Sequence, residues 1–139
     1  MKKELTNAFG NVYLTIEVDL LNHWVHTTWN GHLTEDITKA GTNAYTKAVK
    51  KSGFNCVLND SRQVLGRWEH SLDWALQEWV PQAVYAGIKY FAFIVDPDSF
   101  SADSAEALTT GVNLFEIKIF DDQAEAEDWL RLHCSNLNL

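Results

Sequence analysis

Apolar and polar positions alternate from Val12 to Val18, with Tyr13, Thr15 and Glu17 set between Val12, Leu14, Ile16 and Val18. A period of two marks a half-buried strand, because successive side chains leave opposite faces of the backbone. "DLLNH" then offers a turn, and "HWVHTTW" predicts a second strand over 23–29, antiparallel to the first. Beyond "NGHLTED" the spacing becomes helical. Ile37, Ala40, Ala44 and Ala48, joined by Tyr45, form a stripe that runs to Lys51. Thr34 stands where an N-cap belongs, and Gly53 where such a helix stops.

"FNCVLND" is a short apolar run bounded by turn residues and predicts a buried strand over 55–59. Leu72, Ala75, Leu76, Trp79, Val80 and Ala83 share one helical face, which predicts a helix over 70–86. Pro81 lies inside it, lacks a backbone donor, and should kink it before Gly87 ends it. "IKYFAFIV" (88–95) is the clearest buried strand. Asp103 and Glu106 resemble a capping box for a helix over 101–110, and "LFEIKIF" is the last strand. Asp122 and Glu125 cap a closing helix, in which Ala126, Trp129, Leu130 and His133 share a face. The order is β-β-α-β-α-β-α-β-α. It predicts a single α/β domain over 1–139, mostly parallel in its sheet, with an N-terminal antiparallel hairpin and right-handed crossovers.

Composition narrows the function. A chain of 139 residues that is 46% hydrophobic can bury its own core, and a formal net charge of −8 disfavours a nucleic-acid partner. No stretch has the length and apolarity of a membrane span, and the polar opening residues do not read as a signal peptide. Cys56 and Cys134 stand 78 positions apart, with no C-x-x-C, so Cys56 reads as a small buried hydrophobe and the compartment as reduced and cytoplasmic.

Acidic and amide residues gather where the predicted parallel strands end: Asn59-Asp60-Ser61, Asp96-Pro97-Asp98-Ser99 and Asp121-Asp122. Strand ends of this kind are where open α/β sheets take ligands. Turn and capping duties account for the same residues, so a metal-assisted hydrolase using Asp60, Asp96 and Asp98 ranks low, and no cofactor is expected. No glycine-rich phosphate loop and no G-x-S-x-G elbow occurs, and His70 is separated from Ser61 by a loop. The aromatic residues carry more weight. Trp68 precedes the 70–86 helix, and Trp74 and Tyr85 lie opposite its apolar stripe, where a loop, a partner or a ligand must cover them.

The pattern "VLND…G.W…..W….W.P…..GIKYFAFI..PD.FS..SAE", closing in "F…EAEDWL", resembles the SpoIIAA-like STAS proteins over about residues 12–131. The resemblance implies a β/α superhelix. It also implies a regulatory module whose relatives switch by phosphorylation at a strand-end serine, the position of Ser61, although Arg62-Gln63-Val64-Leu65 replaces the glycine-containing remainder of that motif. The expectation is therefore a non-enzymatic module that binds a protein partner or self-associates through Asp60, Ser61, Arg62, Trp68, Trp74 and Tyr85. A second resemblance, to lipid-binding CRAL-TRIO domains, implies the alternative of a small apolar ligand held between the sheet and the helix bearing Trp74.

Overall fold

In the computed structural model, which describes residues 2–134, six strands form one sheet in the spatial order of the chain. They are β1 (Lys2–Thr6), β2 (Val12–Asp19), β3 (Trp24–His32), β4 (Cys56–Leu65), β5 (Tyr90–Ile94) and β6 (Glu116–Phe120). The first three pair antiparallel and β3 through β6 pair parallel, as the alternation of strands and helices requires. The strand β1 is one more than the pattern shows. Its sequence, KKELT, has a single apolar residue, because an edge strand needs little burial and gains protection from charge.

The first helix, α1 (Glu35–Ser52), begins and ends as its caps dictate. Thr34 accepts a hydrogen bond from the Ile37 amide, and Gly53 closes the last turn at φ 77°, its amide donating to the Val49 carbonyl. Its buried face is not the alanine stripe. Thr38, Gly41, Thr42, Tyr45, Thr46 and Val49 face the sheet, while Ala40 is exposed and Ala44 and Ala48 are half-buried. The cause is close approach. A Cβ on Gly41 would lie 2.5 Å from the Trp29 ring and 2.9 Å from Leu14, so only the side without bulk can seat there. The threonines can be buried because hydroxyls of Thr38 and Thr46 donate to carbonyls one turn earlier, at 2.9 and 2.7 Å.

The strand predicted to stop at Asn59 continues to Leu65, still paired with β3 through His32. Asp60-Ser61 is therefore strand, not bend. After a 3₁₀ turn at Glu69–Ser71 comes one helical rod in three parts: α2 (Leu72–Trp74), a π-helical turn (Ala75–Trp79) and α3 (Val80–Ala86). Pro81 sits in the first turn of α3, where its missing donor is tolerated, so the irregularity falls just before it. Next, α4 (Phe100–Gly111) is capped at Ser99, not at Asp103, which lies inside its first turn. Asp122 does cap α5 (Gln123–Cys134), accepting from the Glu125 amide at 3.0 Å.

The helices divide unevenly between the sheet's faces. One face carries α1, the 72–86 rod and α4 over a core containing Trp29, Tyr45, Trp79, Phe91 and Leu108. The other is covered by α5, over Trp24, Cys56, Leu58, Ile94 and Leu130. Cys56 is buried, as expected, but it is joined to Cys134 by a disulfide that ties the start of β4 to the end of α5. That pairing corrects the reading of free thiols and removes the cysteine argument for a reducing compartment. Among the described residues, no helix is long and apolar enough to cross a membrane.

Gly41→Ala tests the close approach. Alanine favours a helix by up to about 1 kcal/mol, whereas an overpacked core costs about 1–3 kcal/mol. The clash is with a packed indole, so we expect a net loss of about 1–2 kcal/mol in urea denaturation. A variant as stable as the parent would contradict it.

Candidate functional site

Between α1, the rod and the middle strands lies a cavity of about 50 Å³. Its walls are aromatic: Trp29, Tyr45, Trp68, Trp74, Trp79 and Phe93. Tyr45 meets Trp29 and Trp79 edge to face, at centroid distances of 6.4 and 6.2 Å, and Trp68 stacks on Phe93 at 6.1 Å. These rings are fixed by polar anchors. The Trp79 indole donates to Thr46 Oγ1 at 3.0 Å, and the Trp29 indole to Asn59 Oδ1 at 2.9 Å. Burial pushes the Tyr45 phenol well above its ordinary pKa, and a hydrogen bond with Thr42 offsets only part of that, so the ring stays neutral.

Asn59 is the hub of the floor. Its Oδ1 accepts from Thr27 Oγ1 (2.6 Å) as well as from Trp29, and its Nδ2 donates to Ser61 Oγ (3.1 Å). All of these groups are buried, where an amide without partners would cost on the order of 1–3 kcal/mol. Ser61 accepts that bond while its own proton goes to no described acceptor. Across the cavity stands Ser71, 0% exposed, whose Oγ has no hydrogen-bond partner among the described residues. Two serine hydroxyls thus border an aromatic cavity that, among the described residues, no charged side chain lines.

The period of the strand splits the sequence's candidate cluster. Asn59 and Ser61 line the cavity, while Asp60 and Arg62 lie on the face covered by α5. There Asp60 takes the Arg62 guanidinium through both carboxylate oxygens (3.0 and 2.7 Å), and Arg62 reaches on to Gln123 Oε1 at 2.9 Å. Burial alone would push the Asp60 carboxyl up, but the hydrogen bonds and charge of Arg62 outweigh it and hold the group below the usual carboxylate range. Trp68 is buried and Trp74 half-buried, both at the cavity. Tyr85 is elsewhere, 77% exposed, with the Lys50 ammonium 4.1 Å from its ring. The structure therefore brings together Ser61, Trp68 and Trp74 and separates Asp60, Arg62 and Tyr85 from them.

The remaining acidic groups make local bonds. Asp96 accepts from the Asp98 amide at 3.0 Å and Asp122 caps α5. Among the described residues, no three His, Cys, Asp or Glu side chains gather as metal ligands. Sequence reasoning missed Asn59, Ser71 and Trp29 as site residues. An asparagine inside an otherwise apolar run, "CVLND", is the one signal that pointed to a buried polar hub.

The sequence model described as SpoIIAA-like matches residues 24–131. No curated protein matches the chain.

The Asp60–Arg62 pair makes a signed pH prediction. With its pKa depressed, Asp60 contributes stability that is complete above an ordinary carboxylate value of about 4 and lost as pH falls through the lower folded value. In Arg62→Met the stranded carboxyl is instead pushed up by burial. The stability gap between parent and variant should be widest at neutral pH and narrow towards pH 3 in urea denaturation. A gap that does not change with pH would contradict the assignment.

Proposed function

The chain belongs to the SpoIIAA-like family, and on that premise we propose that it is a non-enzymatic binding module that holds a small, mostly apolar ligand in the aromatic cavity. The observation that carries this reading is Ser71: a fully buried hydroxyl with no partner among the described residues, lining a cavity walled largely by rings. Buried polar groups are paired in nearly all proteins, so an unpaired one in a cavity marks a place where an outside group is received.

The chemistry of the lining specifies the ligand's end. Ser61 and Ser71 both offer protons, and the cavity presents no cation, so the matching group is a neutral acceptor such as a carbonyl or ester oxygen. A bare carboxylate would be buried there without a counter-charge, which costs several kcal/mol. A cavity of about 50 Å³ takes only the end of such a molecule. The rest leaves past Trp74, which is half-buried and carries the Lys39 ammonium 5.8 Å from its ring.

The protein-interaction reading draws on Tyr85, the one predicted surface residue that is fully presented. A phosphoswitch has less support, since Ser61 is 4% exposed and hydrogen-bonded within its strand, and a kinase would first have to peel that strand open.

The test is tryptophan fluorescence titration with monolaurin, a neutral ester, against laurate as the charged control, beside native mass spectrometry of freshly purified protein. Monolaurin should quench and bind more tightly than laurate, and Ser71→Ala should weaken it about three- to tenfold, the worth of one hydrogen bond. Equal affinity in Ser71→Ala, or a preference for laurate, would overturn the reading.

A further inference from the structure

The alanine stripe of α1 lies at the edge of its contact with the sheet, Ala44 and Ala48 half-buried against the core and Ala40 exposed. Ala40, Ala44 and Ala48 form one wall of a groove on the flank of α1, and Ile16, Val18 and Leu20 of the β2 end form the other side. The groove is open and large, about 870 Å³. Leu20 is 71% exposed in it. Lysines flank this apolar floor: Lys3 of β1, opposite Ile16 and so on the groove's face of the sheet, on one bank, and Lys47 and Lys51 of α1 on the other. None of the three makes an ion pair with a described residue. They are three of the chain's 11 Lys and Arg residues, drawn to one groove in a protein whose formal net charge is −8.

We propose that this groove is the docking site for an acidic amphipathic helix of a partner protein. Alanine repeated every fourth residue leaves a ridge with nothing beyond Cβ, which allows a second helix to approach at the short end of the usual 8–10 Å interaxial range. The incoming helix lays an apolar stripe on Val18, Leu20 and the alanines, and its flanking carboxylates meet lysine on each side, the helix-in-groove mode with charge setting register. A flat anionic membrane fits less well, because the molecule outside this groove is strongly acidic and would be repelled. The helix would also cover Ala40 and the parts of Ala44 and Ala48 that the sheet leaves open.

The experiment uses the whole chain, ¹⁵N-labelled, titrated with a designed helical peptide that has leucine along one stripe and glutamate on both flanks. A peptide with lysine for each glutamate, laurate, and vesicles of phosphatidylglycerol are run in parallel. Docking predicts saturable amide shifts at Ile16, Val18, Ala44 and Ala48 with the glutamate peptide, weakening with salt. Lys47→Glu with Lys51→Glu should reduce affinity at least about tenfold. Ala40→Gln, which fills the ridge at its exposed end, should do the same while leaving thermal stability unchanged. Ser71→Ala should have no effect, which separates this site from the aromatic cavity. The proposal is overturned if the glutamate peptide gives no shifts at about 1 mM, the weak end of specific binding. It is equally overturned if the lysine peptide binds as well, or if laurate or vesicles move these amides while the peptide does not.

Discussion

A missing side chain sets the geometry of one whole face of the molecule. Gly41 lets α1 come down onto Trp29, where any Cβ would collide with the indole ring. Pressed from above, Trp29 turns its indole N–H into the sheet and onto Asn59, which also binds Thr27 and Ser61. Helix, ring and floor are thus coupled through one short contact. The same seating rolls α1 so that Thr38, Thr42, Tyr45 and Thr46 face the sheet, while Ala44 and Ala48 are half-buried at its edge and Ala40 is exposed. Cavity and groove are two consequences of one constraint: the first is enclosed beneath the helix, and the second is left open at its flank.

β4 acts as a partition. Residues two apart on a strand share a face, so the run Asn59-Asp60-Ser61-Arg62 divides into a neutral polar pair under α1 and an ion pair under α5. The neutral side stays fit for an uncharged ligand because the charges are on the other side of the sheet. The charged side is held by bidentate geometry, by Gln123 at the start of α5, and by the disulfide that fastens the far end of α5 to Cys56. Asp60 is paired with Arg62, and Asp96 accepts the Asp98 amide in a local turn.

Much of the fold could be read from periodicity. The alternation in β2, the unbroken apolar run of β5 and the caps at Thr34, Gly53 and Asp122 are local signals, and each was met by a local structure. What escaped was set by tertiary contact. The stripe of alanines on α1 has correct helical spacing, yet the centre of the contact went to Gly41 and three threonines because a tryptophan from another element demanded room. The end of the 55–59 strand was misplaced because Asp and Ser favour turns in isolation, while here Asp60 pairs with Arg62 and Ser61 accepts from Asn59 in extended backbone. The Cys56–Cys134 pairing, 78 residues apart, leaves no mark in spacing. For the site, the tryptophans were visible and Ser71 was not, since nothing local distinguishes a serine whose hydroxyl will be buried without a partner.

The claim on which the functional reading stands is that the cavity receives the polar end of a molecule from outside the chain. Electron density in a high-resolution crystal structure of protein purified without detergent tests it most directly. The account predicts continuous density that begins at hydrogen-bond distance from Ser71 Oγ, is flanked by the Trp29 and Trp79 rings, and runs outward past Trp74. Density for isolated waters that satisfy Ser71 and Ser61, with Trp74 packed down over them after soaking with monolaurin, would contradict it.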